Sequence, residues 1–368
     1  MFSVTNKSTI HWPGTILNVG VLVTALISGL ILASICFCIG KHWESKHLFL
    51  RNYRPPSDYE AHIEFVMRYT LQSSEQNDVI FLGDSTCLTG LEPLKFKRLT
   101  GLKAYNLGSV GVLGIDGFVT VFQDYLKHHP KPRVLVFCVH PDTLQMPVSS
   151  LGPQEVQEQF LWAYGAESAK AKFFSEKPLV YYVRQGAQII IGHIAGGPDH
   201  YLNEPIPNRK GMTFNSLWQQ VANQRGYWAH PGVLPENFRR PVDPSGPLRL
   251  VPDYKQGLDS LARITSENGI ILFIQLSPRV TTGSAEDYSG LNSDLENLAA
   301  QYQNVSVSQP VVLVHNPSSF GELRHLNRKG ADAFTSLVAD EVSKIIAKPK
   351  SNENLIPEYS GHPDAKAR

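Results

Sequence analysis

Val79-Ile80-Phe81-Leu82 is an unbroken apolar run that stops abruptly at Gly83-Asp84-Ser85-Thr86. A strand with apolar side chains on both faces is buried on both faces, the situation of a parallel sheet covered by helices. Such a strand delivers the next few residues to the carboxyl edge of the sheet, where open α/β folds place ligands. Here it delivers a serine. A hydroxyl is a weak nucleophile until a base, usually an imidazole, and donors for a developing oxyanion stand beside it.

The chain around this run alternates between strand and helix patterns. Residues 78–82 form the first strand and 103–107 the second, which ends in Asn106-Leu107-Gly108-Ser109-Val110-Gly111. Residues 115–129 are an amphipathic helix carrying Phe118, Phe122, Tyr125 and Leu126 on one face. Residues 133–139 form a third apolar strand, which ends at His140-Pro141-Asp142. After a long interval the rhythm resumes. A helix at 254–268 stops at Gly269, and a strand at 270–276 comes next. Leu291, Leu295, Leu298 and Tyr302 then mark another helix, 305–314 holds a fifth strand, and the last helix spans 328–347 with Asn327 as its N-cap. This pattern predicts a three-layer α/β/α fold with a mostly parallel five-stranded sheet over residues 76–347. A polar tail covers 348–368.

Residues 147–252 break the rhythm. They are rich in Trp, Tyr, Pro and Gly and hold Trp162, Trp218, Trp228, His193, His200 and His230. An insertion of this length is read either as a lid or binding surface, or as a packed cap without a specific role. Its histidines lack ligand spacing, so no metal site is expected.

Before the domain lie a short polar tail, 1–12, and a stretch, 13–40, without a charged side chain. Its apolar part, 16–39, exceeds the roughly 20 residues needed to cross a bilayer. It also exceeds the apolar core of a signal peptide, about 7–15 residues. One uncleaved transmembrane helix is therefore expected, followed by a charged juxtamembrane linker over 41–75 in which 59–71 reads as a short helix leading into the domain. Lys7 flanks the span on one side, and Lys41, Lys46, Arg51 and Arg54 on the other. The positive-inside rule alone places the C-terminal side in the cytoplasm.

Thirty-four Lys and Arg against 33 Asp and Glu give no basic excess for nucleic acid. The four cysteines, Cys36, Cys38, Cys87 and Cys138, show neither a disulfide framework nor metal spacing, and read as free thiols. Asn6-Lys7-Ser8 and Asn304-Val305-Ser306 fit the glycosylation triplet.

The remaining chemistry sits just before the last helix, in Gly321-Glu322-Leu323-Arg324-His325-Leu326-Asn327. His325 follows the final strand by a loop, at the same sheet edge as Ser85. Glu322 stands three residues earlier, within reach of the imidazole Nδ1 proton.

Gly83-Asp84-Ser85, Asn106 to Gly111, and Glu322 to Asn327 resemble blocks I, II and V of the SGNH (GDSL-like) hydrolases, over about 76–146 and 255–347. The resemblance implies an SGNH/flavodoxin-like fold and a cofactor-free catalytic set of Ser85, His325 and Glu322. It implies an oxyanion hole of the Ser85 and Gly111 amides, with Gly108 as the alternative glycine. Asp84, Asn106, His140 and Asp142 are candidate supporting residues. Two positions depart from the family pattern. The acid is glutamate where aspartate is usual, and Pro141 stands where block III offers an asparagine donor. An anchored chain with an incomplete block III resembles the envelope proteins that work beside membrane-bound O-acyltransferases in alginate acetylation and teichoic-acid D-alanylation. That subgroup implies an extracytoplasmic domain, an acylated glycan substrate and an acyltransferase partner. The rival expectations are a degenerate glycan-binding or scaffold module, and a plain lipase with an apolar tunnel under the insertion.

Overall fold

The computed structural model describes residues 14–45, 58–147, 211–238, 248–280, 288–310 and 312–347, with scattered positions between 150 and 194. The expected Trp162, His193, His200, the Asn6 triplet and the polar tail lie outside the described residues.

Helix α1 (Gly14–Ser45) contains a stretch, Gly20–Gly40, of mean hydropathy 2.6 and only 6% buried. It is long and apolar enough to cross a membrane. Helix α2 (Asp58–Gln72) is the short helix expected over 59–71, in the stretch read as a linker. Its Ile63, Val66 and Met67 are fully buried in the main core, so the folded domain begins well before the first strand.

The α/β layers come next. They are β1 (Val79–Gly83), α3 (Ser85–Gly90), α4 (Pro93–Thr100), β2 (Ala104–Gly108), α5 (Gly114–His128) and β3 (Val134–Cys138). Then come α6 (Phe214–Asn223), α7 (Pro252–Glu267), β4 (Ile271–Ile274), β5 (Arg279–Val280), α8 (Ser289–Gln301), β6 (Val305–Val307), β7 (Val314–His315) and α9 (Arg328–Ala347). The main sheet has the order β2-β1-β3-β4-β6, and all its pairs are parallel. The fold is thus α/β with a five-stranded parallel sheet flanked by helices. Burial explains the apolar runs: every residue of β1, β2 and β3 is inaccessible. One core holds the faces of α2, α5, α7 and α8, the other those of α4 and α9.

Helices α3 and α4 escaped the sequence reading because each is too short to show a period. The strand expected over 305–314 is divided. β6 ends at Val307 and joins the main sheet, whereas β7 pairs with β5 in a separate two-stranded sheet. Between them Pro310, which has no N–H for a ladder, interrupts the run. The glycosylation reading of Asn304 does not fit this fold. Its side-chain amide donates to the Ala262 and Ile270 carbonyls and to Thr265 Oγ1.

Arg225, just beyond α6, fastens the inserted region to the sheet. Its Nε donates to the Ala104 carbonyl at 2.7 Å, and its terminal nitrogens reach both oxygens of Glu75 at 3.0 and 3.1 Å. Partial burial pushes the Glu75 pKa upward, but Arg225 and Lys103 outweigh it and bring it to about 2. A depressed carboxylate stabilises the fold above its unfolded pKa and loses that contribution as pH falls toward the folded value. The urea midpoint is therefore expected to fall between pH 4.5 and 2 in the wild type, and Glu75→Gln should flatten that part of the curve.

Candidate active site

The sharp turn after β1 is held by one buried carboxylate. Asp84 caps α3, and its Oδ1 accepts the Thr86 backbone N–H at 2.9 Å and the Thr86 hydroxyl at 2.6 Å. Its Oδ2 accepts the His140 backbone N–H at 3.0 Å and the Thr143 hydroxyl at 2.9 Å. The end of β1 is thereby tied to the turn after β3. The strands approach so closely that a Cβ on Gly83 would lie 1.7 Å from the Cys138 carbonyl oxygen, so only glycine fits. Asp84 rather than Ser85 is the N-cap. Ser85 is the first residue of the helix, where a backbone N–H has no partner within it.

His325 lies in a tight turn before α9, closed by the Gly321 N–H donating to its carbonyl at 2.8 Å. Its ring spans two partners. Nε2 stands 2.7 Å from Ser85 Oγ, and Nδ1 is hydrogen-bonded to Glu322 Oε1. With a carboxylate on Nδ1, that nitrogen carries the proton and Nε2 is the acceptor facing the serine hydroxyl. The longer glutamate reaches because it sits on the same turn, three residues before the histidine. The neighbouring His230 ring first, and the His325 ring next, hold the Glu322 carboxyl well below the usual carboxylate range. It is therefore ionised at neutral pH and suited to stabilise an imidazolium.

The two oxyanion glycines separate. Gly111 opens a 3-10 turn, Gly111–Leu113, so its N–H is not used inside that turn. A Cβ placed on it would come 3.9 Å from the Asp84 Cβ, which puts its backbone beside the nucleophile turn. The Gly108 alternative is corrected by the geometry, because the Gly108 N–H already donates to Asn106 Oδ1 at 2.7 Å. Asn106 is a support. Its amide also donates to the Cys87 and Leu91 carbonyls at 2.8 Å each, bracing the far side of α3. Pro141 starts the 3-10 turn after β3 and has no N–H to offer.

His140 and Asp142 engage one another and the turns around the site. The His140 ring accepts the Asp142 backbone N–H on Nδ1 at 3.2 Å and is only 1% exposed. Asp142 receives the buried Arg279 guanidinium at 2.8 Å and Arg324 at 3.6 Å. Arg324 belongs to the turn that carries His325, so this ion pair couples the turn to the end of β3. Cys87 is no rival nucleophile. Burial first, and neighbouring Cys138 next, push its thiol pKa well upward, and an unionised thiol is inert.

Sequence reasoning missed His230. Its Nε2 lies 3.6 Å from Glu322 Oε2, and its ring stacks on that of His325 at 5.9 Å and 22°. Spacing along the chain carries no sign of this, because the inserted region lies alongside the final turn through a parallel bridge between His230 and Asn327. The donor atoms of His230, Glu322 and His325 fall within 4.8 Å of one another, close enough for one metal ion. The hydrogen bonding speaks for another use. The Gly232 N–H donates to His230 Nδ1 at 3.1 Å, which leaves the proton on Nε2, the nitrogen that would have to bind the ion.

No protein-family model and no curated protein matches this chain. Asp84→Ala tests the frame directly. It strands buried donors on Thr86, His140 and Thr143, each costing about 1–3 kcal/mol. A loss of about 3 kcal/mol or more in chemical denaturation is expected, where a surface aspartate would change little.

Proposed function

We propose that the chain is a membrane-anchored SGNH-type serine esterase or O-acyltransferase acting on an acylated cell-envelope glycan. The observation that carries the reading is the Ser85–His325–Glu322 relay, with one ring bridging hydroxyl and carboxylate. His325 Nε2 takes the Ser85 proton as Oγ forms a bond to the ester carbonyl carbon. The Ser85 and Gly111 N–H groups receive the oxyanion, and Glu322 stabilises the imidazolium. The C–O bond to the sugar then breaks, and its oxygen takes the proton from His325. Water or a second glycan hydroxyl attacks the acyl-serine by the same steps reversed, which gives hydrolysis or transfer. None of these steps calls on a cofactor.

The choice of a sugar rests on a cleft of about 280 Å³ lined by Glu92, Gln220, Asn223, Gln224, Trp228 and Arg328. Amides, a carboxylate and a guanidinium beside an indole suit vicinal hydroxyls, which supports a glycan as the substrate. Trp228, which lines the cleft, also packs its ring 5.6 Å from that of His230. A second reading, a degenerate module that scaffolds a membrane-bound O-acyltransferase, is favoured by Pro141 in the place of a third oxyanion donor. Loss of one such donor costs about 10²–10³ in turnover.

The anchor reading of α1 comes with a domain outside the cytoplasmic membrane. The flanking charges Lys41, Lys46, Arg51 and Arg54 oppose that orientation, and protease accessibility in spheroplasts decides it.

Hydrolysis of an aryl acetate and of an acetylated oligosaccharide should both fall about 10³-fold or more in Ser85→Ala and in His325→Ala. Gln220→Ala combined with Asn223→Ala should raise KM for the oligosaccharide about tenfold and leave the aryl ester unchanged. A wild type inert toward every ester, but retaining glycan binding, would select the scaffold reading.

A further inference from the structure

Glu322 is an odd acid for a relay of this kind. Its side chain is 53% exposed, and an exposed glutamate has several solvent-facing rotamers to choose from. His325 engages only Oε1. The other oxygen, Oε2, faces His230 Nε2 at 3.6 Å, longer than a direct hydrogen bond. Contacts of this length in ligand-free sites tighten once substrate is bound.

His230 is itself held on several sides. Gly232 fixes its tautomer through Nδ1, so that the N–H on Nε2 is the one presented to Glu322. Trp228 packs edge-on against its ring at 65°, and the His325 ring stacks on it. Its backbone bridges Asn327, and the Leu234 N–H donates to the Phe320 carbonyl at 2.9 Å, so the whole segment runs beside the final turn. The ring also lies against bare backbone. A Cβ on Gly321 would come 1.9 Å from His230 Nδ1, so the glycine before Glu322 is what makes room for it.

We propose that His230 is a positioning residue that holds the second oxygen of Glu322, so that a glutamate serves where an aspartate would need no such help. The carboxylate then sits between two imidazoles, one that shuttles the proton and one that does not. This role rests on the reading of Ser85, His325 and Glu322 as an ester-cleaving relay. It gives the inserted region a part in catalysis besides covering the sheet. The low pKa of Glu322 accords with it, since the His230 ring is the largest of its causes.

Three variants of the full-length, detergent-solubilised protein separate the possibilities. His230→Phe keeps a stacked ring without an N–H, His230→Gln restores a donor, and Gly321→Ala displaces the ring by crowding its Nδ1 edge. The expected result on an aryl acetate is a fall in kcat of about tenfold in His230→Phe and Gly321→Ala with KM unchanged, and recovery to within about threefold of wild type in His230→Gln. A second readout needs no turnover. In histidine-labelled protein the far-downfield proton on His325 Nδ1, assigned by its loss in His325→Ala, should persist in His230→Gln and vanish or move upfield in His230→Phe. Unchanged kcat and an unchanged resonance in His230→Phe would overturn the proposal. Stoichiometric zinc binding that needs His230 and erases the resonance would overturn it too, in favour of a metal site. A wild type without esterase activity whose resonance still depends on His230 would sink the ester-cleaving reading alone.

Discussion

A single hydrogen bond joins Ser85 to His325 across 240 residues of sequence, and the fold is arranged so that its two ends meet. Neither residue could find the other locally. The sheet brings them together, because β1 ends just before Ser85 and the chain returns to the same carboxyl edge before α9. Parallel strands in register give that edge its flatness. Gly83 pairs with Gly108 on one side and Cys138 on the other, so three strands end at one level. Asp84 uses that level by binding the turn after β3 with the same carboxylate that caps α3.

Most polar groups around the site serve to fix geometry rather than to react. Asn106 uses its amide on the far side of α3, and Asp142 joins Arg279 to the turn of His325 through Arg324. Such buried or half-buried pairs cost desolvation, and they hold one arrangement against others. The inserted region adds a second layer. Arg225 pins it to β2 and Glu75, the Trp228 N–H donates to the Leu88 carbonyl in α3, and His230 arrives beside the relay. A segment that looked like a cap in sequence touches the relay at its acid.

The main strands and long helices could be read from sequence because full burial imposes apolar runs and helical burial imposes a period. Residues 79–82, 134–138 and 328–347 show this plainly. Ser85, His325 and Glu322 were legible because short motifs placed them at strand ends. Their meeting could only be inferred. The hidden part was whatever depends on contact rather than pattern. Helices of six and eight residues carry no usable period, and the N–H of Gly108 could not be known to be engaged by Asn106. His230 stayed hidden because its partner Glu322 lies far along the chain in an unrelated segment, aligned with it by the bridge to Asn327 and the Leu234–Phe320 hydrogen bond.

The central claim is that Ser85 is an activated nucleophile. Its most direct test is peptide-mapped mass spectrometry after exposure to a fluorophosphonate, which needs no knowledge of the natural ester. The account predicts one phosphonyl adduct per chain, on Ser85, formed at least about tenfold more slowly in His325→Ala. A folded wild-type protein that stays unmodified, or carries its adduct on another residue, would contradict it.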